Sequence, residues 1–230
     1  MRDAGDRIGE GTGPTRRAMI AGALSLGFFQ SLPQSARSQP TEESSMPIDP
    51  RRSALVLLHY QTDILALFAE AGIDAYVQRM ARLAGTARGA GVPVYLVRIG
   101  FSADYREISA NNQNGQMIRS FGLFTNDAIP DVLRGSGDTE ITAHRVSAFK
   151  GTDLDLSLRA RGIDTLMMAG ITTSGVVVST LAEASDLDYR ILLIADGCFE
   201  PDAAAQEALL RVPFATRAEI TTTDALLAQL

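Results

Sequence analysis

From Ser53 onward, apolar and polar residues alternate in blocks whose period keeps changing. Ala54-Leu55-Val56-Leu57-Leu58 is a continuous apolar run, the pattern of a strand covered on both faces in a parallel sheet. Over 73–91 the apolar positions recur at threes and fours (Tyr76, Val77, Met80, Leu83, Ala84, Ala87), which predicts a helix stopped by Gly89 and Gly91. A second strand is predicted over 92–97. Between 100 and 139 the periodicity is lost, and the segment contains the polar run Asn111-Asn112-Gln113-Asn114-Gly115. A connection of that length reads as a lid over a site, with a solvated turn as the alternative. Order returns with a strand at 140–143, a helix over 153–162 with Asp153 as its N-cap, and a strand at 165–170. A helix over 174–186, a strand at 190–195, a helix over 201–212, a short strand at 218–220 and a helix over 224–230 complete the pattern. Val176-Val177-Val178 alone favours a strand. A helix is expected there because two buried parallel strands need a crossover, and Val177, Leu181 and Ala184 fall at helical spacing. Repeated strand–helix units predict an α/β fold: a three-layer, doubly wound, mostly parallel six-stranded sheet.

Residues 1–40 follow a different rule. Thr15-Arg16-Arg17 precedes an uncharged stretch, Ala18 to Phe29, and a Ser- and Pro-containing stretch follows from Gln30 to Pro40. A paired arginine before a short, glycine-interrupted apolar run predicts a twin-arginine export signal with its linker, hence a periplasmic destination for a domain spanning 41–230. Twelve residues rise only about 18 Å as a helix, short of the roughly 30 Å hydrocarbon core, so no stable membrane anchor is expected. A lipid anchor would need a cysteine after the apolar run, and the only cysteine is Cys198.

Composition narrows the chemistry. The whole chain has net charge −6; removing the five arginines and three acids of residues 1–40 leaves 16 cations and 24 anions, a more acidic domain. That is the wrong sign for a nucleic-acid partner bound through counterion release. One cysteine and two histidines exclude a disulfide framework, a multi-thiolate zinc site and a three-histidine metal site. Of the 21 cationic residues only Lys150 is a lysine.

Three segments carry chemistry. They are Leu57-Leu58-His59-Tyr60-Gln61-Thr62-Asp63-Ile64, Ser147-Ala148-Phe149-Lys150-Gly151-Thr152-Asp153-Leu154, and Gly170-Ile171-Thr172-Thr173-Ser174-Gly175-Val176-Val177-Val178-Ser179-Thr180. In order and spacing they resemble the D-x-Q-x-D-F, S-A-F-x-G-T-D-L and G-x-x-T-x-x-C-V-x-x-T segments of the isochorismatase-like (cysteine hydrolase) superfamily. The resemblance covers nearly all of 53–230. It implies strand order 3-2-1-4-5-6, with a ligand cleft at the switch point between the strands ending near His59 and Gly170. It also implies an aspartate–lysine–cysteine triad in which a thiolate attacks a carbonyl. At those positions this chain has His59, Ala143 and Val176. A valine cannot attack and an alanine cannot carry charge, so thiolate chemistry is not expected at this site. The resemblance further implies a cis peptide at Ile171–Thr172, and main-chain donors there and at the following helix start, a favourable place for an anion. The hydroxyls of Thr172, Thr173 and Ser174 would alternatively only cap that helix.

Both histidines, His59 and His144, fall on or beside triad-equivalent positions, and an imidazole can exchange a proton near neutrality. Two functions follow as expectations. One is hydrolysis of a small amide, ester or ether, with His59 as base, His144 or Arg145 as polarising partner, and Ile171 to Ser174 as oxyanion donors. The other is a catalytically silent relative that keeps a pocket for a small carboxylate or amide. Lys150 and Cys198 are read as a solvated lysine and a small buried hydrophobe. The family's metal-bearing branch has an Asp-x-His run where this chain has Arg98 to Asp104 without histidine, so no metal or other cofactor is expected. A homo-oligomer is implied by the resemblance alone.

Overall fold

The computed structural model describes residues 46–230, which form one compact unit. The export signal expected in residues 1–40 lies outside the described residues.

Six parallel strands form one sheet in the order β3-β2-β1-β4-β5-β6: β1 (Ser53–Leu58), β2 (Val94–Ile99), β3 (Thr139–Ala143), β4 (Thr165–Gly170), β5 (Arg190–Ile194) and β6 (Glu219–Thr221). The central strands β1 and β4 are buried at every position, because helices cover both faces of the sheet. Edge strand β6 is largely exposed, and its cross-sheet neighbour Arg190 ties it down through Glu219. The helix α2 (Asp74–Gly89) buries Val77, Met80, Leu83, Ala84 and Ala87, the stripe its spacing predicts. Gly170 ends β4 where no side chain fits: an added Cβ would stand 2.8 Å from Leu58 Cβ and 2.9 Å from Val177 Cγ2.

Several boundaries differ from the sequence expectation, each for a local reason. The second strand starts at Val94 rather than 92, because Val92 donates back to Ala87 and closes α2, while Pro93 has no N–H for the ladder. The 100–139 connection contains a helix, α3 (Gln113–Ser120), capped by the Asn112 side chain on the Gly115 amide at 2.9 Å. The polar run read as loop is thus a helix start, and Gly115 is required because a Cβ would lie 2.6 Å from Ile108. A further helix, α1 (Thr62–Leu67), was not expected; its first amide and the Thr62 hydroxyl both donate to Ala128 O. Asp153 stands at the N-cap of α4 (Leu154–Ala160) without a capping bond, and Thr152 Oγ1 accepts from Leu154 instead. The crossover after β4 opens with a wide π turn, Thr173–Val177, before α5 (Val178–Asp186). The helix expected over 201–212 is α6 (Ala203–Leu209) followed by a π segment containing Pro213, which cannot donate to the helical ladder.

Candidate functional site

Strand β1 ends at Leu58, and the next residue turns the chain. His59 takes φ 60°, a left-handed conformation uncommon outside glycine, and its amide donates to Val97 O at 2.7 Å. Two residues later the Gln61 side chain grips β2, accepting from the Ile99 amide and donating to the Ile99 carbonyl, both at 2.7 Å. This glutamine, present in the first motif, holds the turn rigidly against the sheet.

On the other side of the switch point, β4 runs into Ile171, and the Ile171–Thr172 peptide is cis. Residues 199–200 run beside it. Ile171 bridges Phe199, Phe199 donates to Gly170 O at 3.1 Å, and Thr173 donates to Phe199 O at 2.9 Å. The Thr172 amide has no protein acceptor among the described residues. The Ser174 amide is taken: it donates to Glu200 Oε2 at 2.8 Å. The hydroxyl of Thr172 makes no capping bond, contrary to the capping alternative, and the Thr173 hydroxyl is buried without a partner.

Between these two chain turns lies a cavity of about 280 Å³. His59, Ile171, Thr172, Gly175 and Val176 form its floor. Ile64, Leu67 and Phe68 enter from α1 and the residue after it, and Ile99 and Val146 from the ends of β2 and the loop after β3. Asn114, Met117 and Ile118 of α3, with Leu123 and Phe124, close the top. The long connection read as a lid thus lines the cavity. No charged side chain is among the lining residues; the polar ones are His59, Asn114 and Thr172.

Electrostatics follow from that lining. His59 is only 5% exposed, and its Nε2 is buried without a hydrogen-bond partner. Burial pushes its pKa down to about 3, because an imidazolium here would lose its hydration with no anion to replace it. At neutral pH the ring is uncharged. Val176, 2% exposed, presents only methyl groups where the resembling family places sulfur. Ala143 is fully buried at the end of β3 and does not line the cavity.

The remaining candidates do not converge here. His144 and Arg145 lie in a separate hollow with Glu107, Lys150 and Gly151, so the expected polarising partners do not share the cavity with His59. The reason is strand alternation: Ala143 points inward, and its neighbour is turned outward, with His144 Nδ1 2.6 Å from Gly100 O. Thr173 and Ser174 are not lining residues either. Lys150 is exposed. Cys198 is buried, and burial pushes its thiol up to about 12, leaving it protonated. The residues that sequence reasoning missed are the apolar walls from α1, α3 and Val146. The length of the 100–139 connection is the one advance sign, and it bears on α3 alone, since α1 and Val146 lie outside it. No group of three His, Cys, Asp or Glu side chains that could hold a metal occurs among the described residues, and no described helix is long and apolar enough to cross a membrane.

A doubly wound parallel sheet with a cleft where the strand order reverses defines an open α/β protein whose ligands bind at the switch point. The Isochorismatase domain model matches residues 53–225, and the chain belongs to the isochorismatase family. It is 34% identical over 160 residues, 66% of this chain and 82% of the other, to the uncharacterized isochorismatase family protein YecD of Escherichia coli O157:H7. It is 30% identical over 165 residues, 64% of this chain and 66% of the other, to the ureidoacrylate amidohydrolase RutB of Methylorubrum extorquens. The solved structure of an isochorismatase family protein from Burkholderia thailandensis superposes with TM-score 0.67 at 26% identity, covering 81% of this chain and 99% of that one.

Proposed function

We propose that the cavity reversibly binds a small, largely apolar molecule bearing one hydrogen-bonding group, and that the protein forms no covalent bond to it. The observation that supports this reading most directly is Val176 on the cavity wall. A hydrocarbon side chain offers no electron pair, and the fully buried Ala143 offers no ammonium to stabilise an anion. What the site does offer is apolar area, a neutral imidazole and the Thr172 amide, the combination of a binding pocket with one oriented polar contact.

A second reading is favoured by one observation, the unpartnered Nε2 of His59. On that reading His59 takes a proton from a water that attacks a small amide, ester or ether, amides being the substrate type named for the RutB relative. It stands second because a base whose pKa is about 3 has little pull on a proton at neutral pH.

One experiment separates them. The protein is incubated with a panel of small aromatic and aliphatic amides and esters, following thermal unfolding and product together. Binding alone gives stabilisation approaching about 2.7 kcal/mol at a hundredfold excess over Kd, no product, and loss of the effect when Val176→Phe fills the cavity. Turnover that falls a hundredfold or more in His59→Ala establishes the second reading. Neither stabilisation nor product would remove both.

We also propose, on Arg16-Arg17 and the apolar run after them, that residues 1–40 direct export by the twin-arginine route. A folded reporter fused to residues 1–45 should be exported, and the double change Arg16→Lys, Arg17→Lys should abolish it.

A further inference from the structure

The hollow apart from the cavity measures about 290 Å³ and is lined by Glu107, His144, Arg145, Lys150 and Gly151. It gathers the chain's only lysine, one of its two histidines and an arginine, in a domain that is otherwise acidic. Arg52, Arg79, Arg88, Arg98 and Arg190 each pair with a carboxylate. Arg145 and Lys150 form no ion pair among the described residues. Arg145 donates to the carbonyl of its neighbour His144, which leaves most of its guanidinium fork open toward the hollow.

The one carboxylate of the hollow is answered from its own loop. Glu107 accepts from the Ser102 hydroxyl and from the Ser102 amide at 3.3 Å, which hold its carboxyl below the usual range. Arg106 Nε stands 3.9 Å from it. Arg106, Arg145 and Lys150 against Glu107 leave the local sum of charge positive. Hydrogen-bond donors add to it. A carbonyl can only accept, so His144 Nδ1, 2.6 Å from Gly100 O, carries a proton and Nε2 is the open nitrogen of the ring. The amides of Lys150 and Gly151 have no main-chain acceptor among the described residues. Gly151 takes φ 75°, and a Cβ there would meet nothing within 4 Å, so the main chain can be approached closely.

We propose that this hollow is a second binding site, for a phosphate group, with Arg145 and Lys150 as its cationic contacts. A planar fork, a point charge and free amides offer more donors than the two oxygens of a carboxylate can use, and they suit the three oxygens and double charge of a phosphate. The site gives Lys150, otherwise a solvated lysine, a partner. It stands independently of what the cavity binds, because no residue lines both.

The two histidines make the test positional, since His59 lines the cavity and His144 the hollow. The full chain, with its histidine rings isotope-labelled, is titrated with inorganic phosphate and with phenyl phosphate at pH 7.5 and constant ionic strength. The His144 ring signals should move saturably, with Kd of about 1 mM or tighter, while those of His59 stay in place. Tighter binding of phenyl phosphate identifies a phosphomonoester as the ligand, and equal or weaker binding identifies the free anion; both support the site. The double change Arg145→Gln, Lys150→Gln should weaken binding tenfold or more. Glu107→Gln should tighten it threefold or more, a gain that a folding defect cannot produce. Arg211 is exposed, unpaired among the described residues and lines neither space, so Arg211→Gln should change binding less than twofold. His144 signals that do not move, movement of His59 in their place, or a loss in Arg211→Gln equal to that in the double variant would each overturn the proposal while leaving the reading of the cavity untouched.

Discussion

Acid should destabilise this protein through a single buried ring. In the folded chain the pKa of His59 is pushed down to about 3, against 6.5 when it is free in water. A folded-state value below the unfolded one means that the unfolded chain takes up a proton the native state refuses. Stability is therefore full above pH 6.5 and declines as the pH falls from there toward 3. Each unit between the two values is worth about 1.4 kcal/mol, so this one group removes about 3 kcal/mol by pH 4 and roughly 5 at the limit. Against a total of 5–15 kcal/mol for an ordinary domain, that is a large fraction. The assay is urea unfolding at pH 7.5 and pH 4 of the unaltered chain and of His59→Asn. Asparagine tolerates the left-handed backbone at this position and cannot be protonated. Other groups whose pKa values shift on folding, such as the lowered Asp164, titrate in both proteins and cancel in the difference. The unaltered chain should lose about 3 kcal/mol more than the variant between the two pH values. A difference that stays within about 0.5 kcal/mol would show that the ring is hydrated or paired in solution, and the account of a neutral imidazole in the cavity would fall.

Two further predictions concern residues on and away from the cavity. In a Cys198→Ala background, Val176→Cys alone should give a thiol that reacts slowly with iodoacetamide at pH 7, because the cavity holds no cation and burial favours the protonated form. The triple change His59→Asp, Ala143→Lys, Val176→Cys should react at least tenfold faster; equal rates would mean that these three positions do not act on one sulfur. Far from the cavity, the Asp138 side chain is 4% exposed and binds Arg88 at 2.7 Å while also accepting from the Gly135 amide. Asp138→Ala should cost about 3 kcal/mol, since it leaves a half-buried guanidinium with the Leu133 carbonyl but no counter-charge, and a loss under 1 kcal/mol by urea unfolding would refute that assignment.

The strands were readable because burial on both faces leaves a local mark. The apolar runs at Leu55 and Leu166 need no knowledge of the partner strand, and α2 shows its stripe for the same reason. Motif order then placed His59 and Val176 on opposite sides of one switch point, and the structure brings them to one cavity. Helices α1 and α3 left a weaker mark, being six and eight residues long, too short for a periodic stripe to emerge.

Three features depended on the folded chain. His144 sits beside a motif position in sequence, yet the two-residue period of a strand turns it outward into a separate hollow while Ala143 is buried. Glu200 lies 26 residues from Ser174, and only the pairing of the 199–200 strap with the end of β4 brings the carboxylate to that amide. The neutrality of His59 is likewise a property of its surroundings: walls drawn from α1, α3 and four strand ends exclude water from a ring that would otherwise titrate near neutrality. The amino-acid sequence thus determined the sheet, its order and the absence of a sulfur attacker, because these depend on residue type and local pattern. The charge and shape of the cleft were decided by tertiary structure, because desolvation is set by what packs alongside.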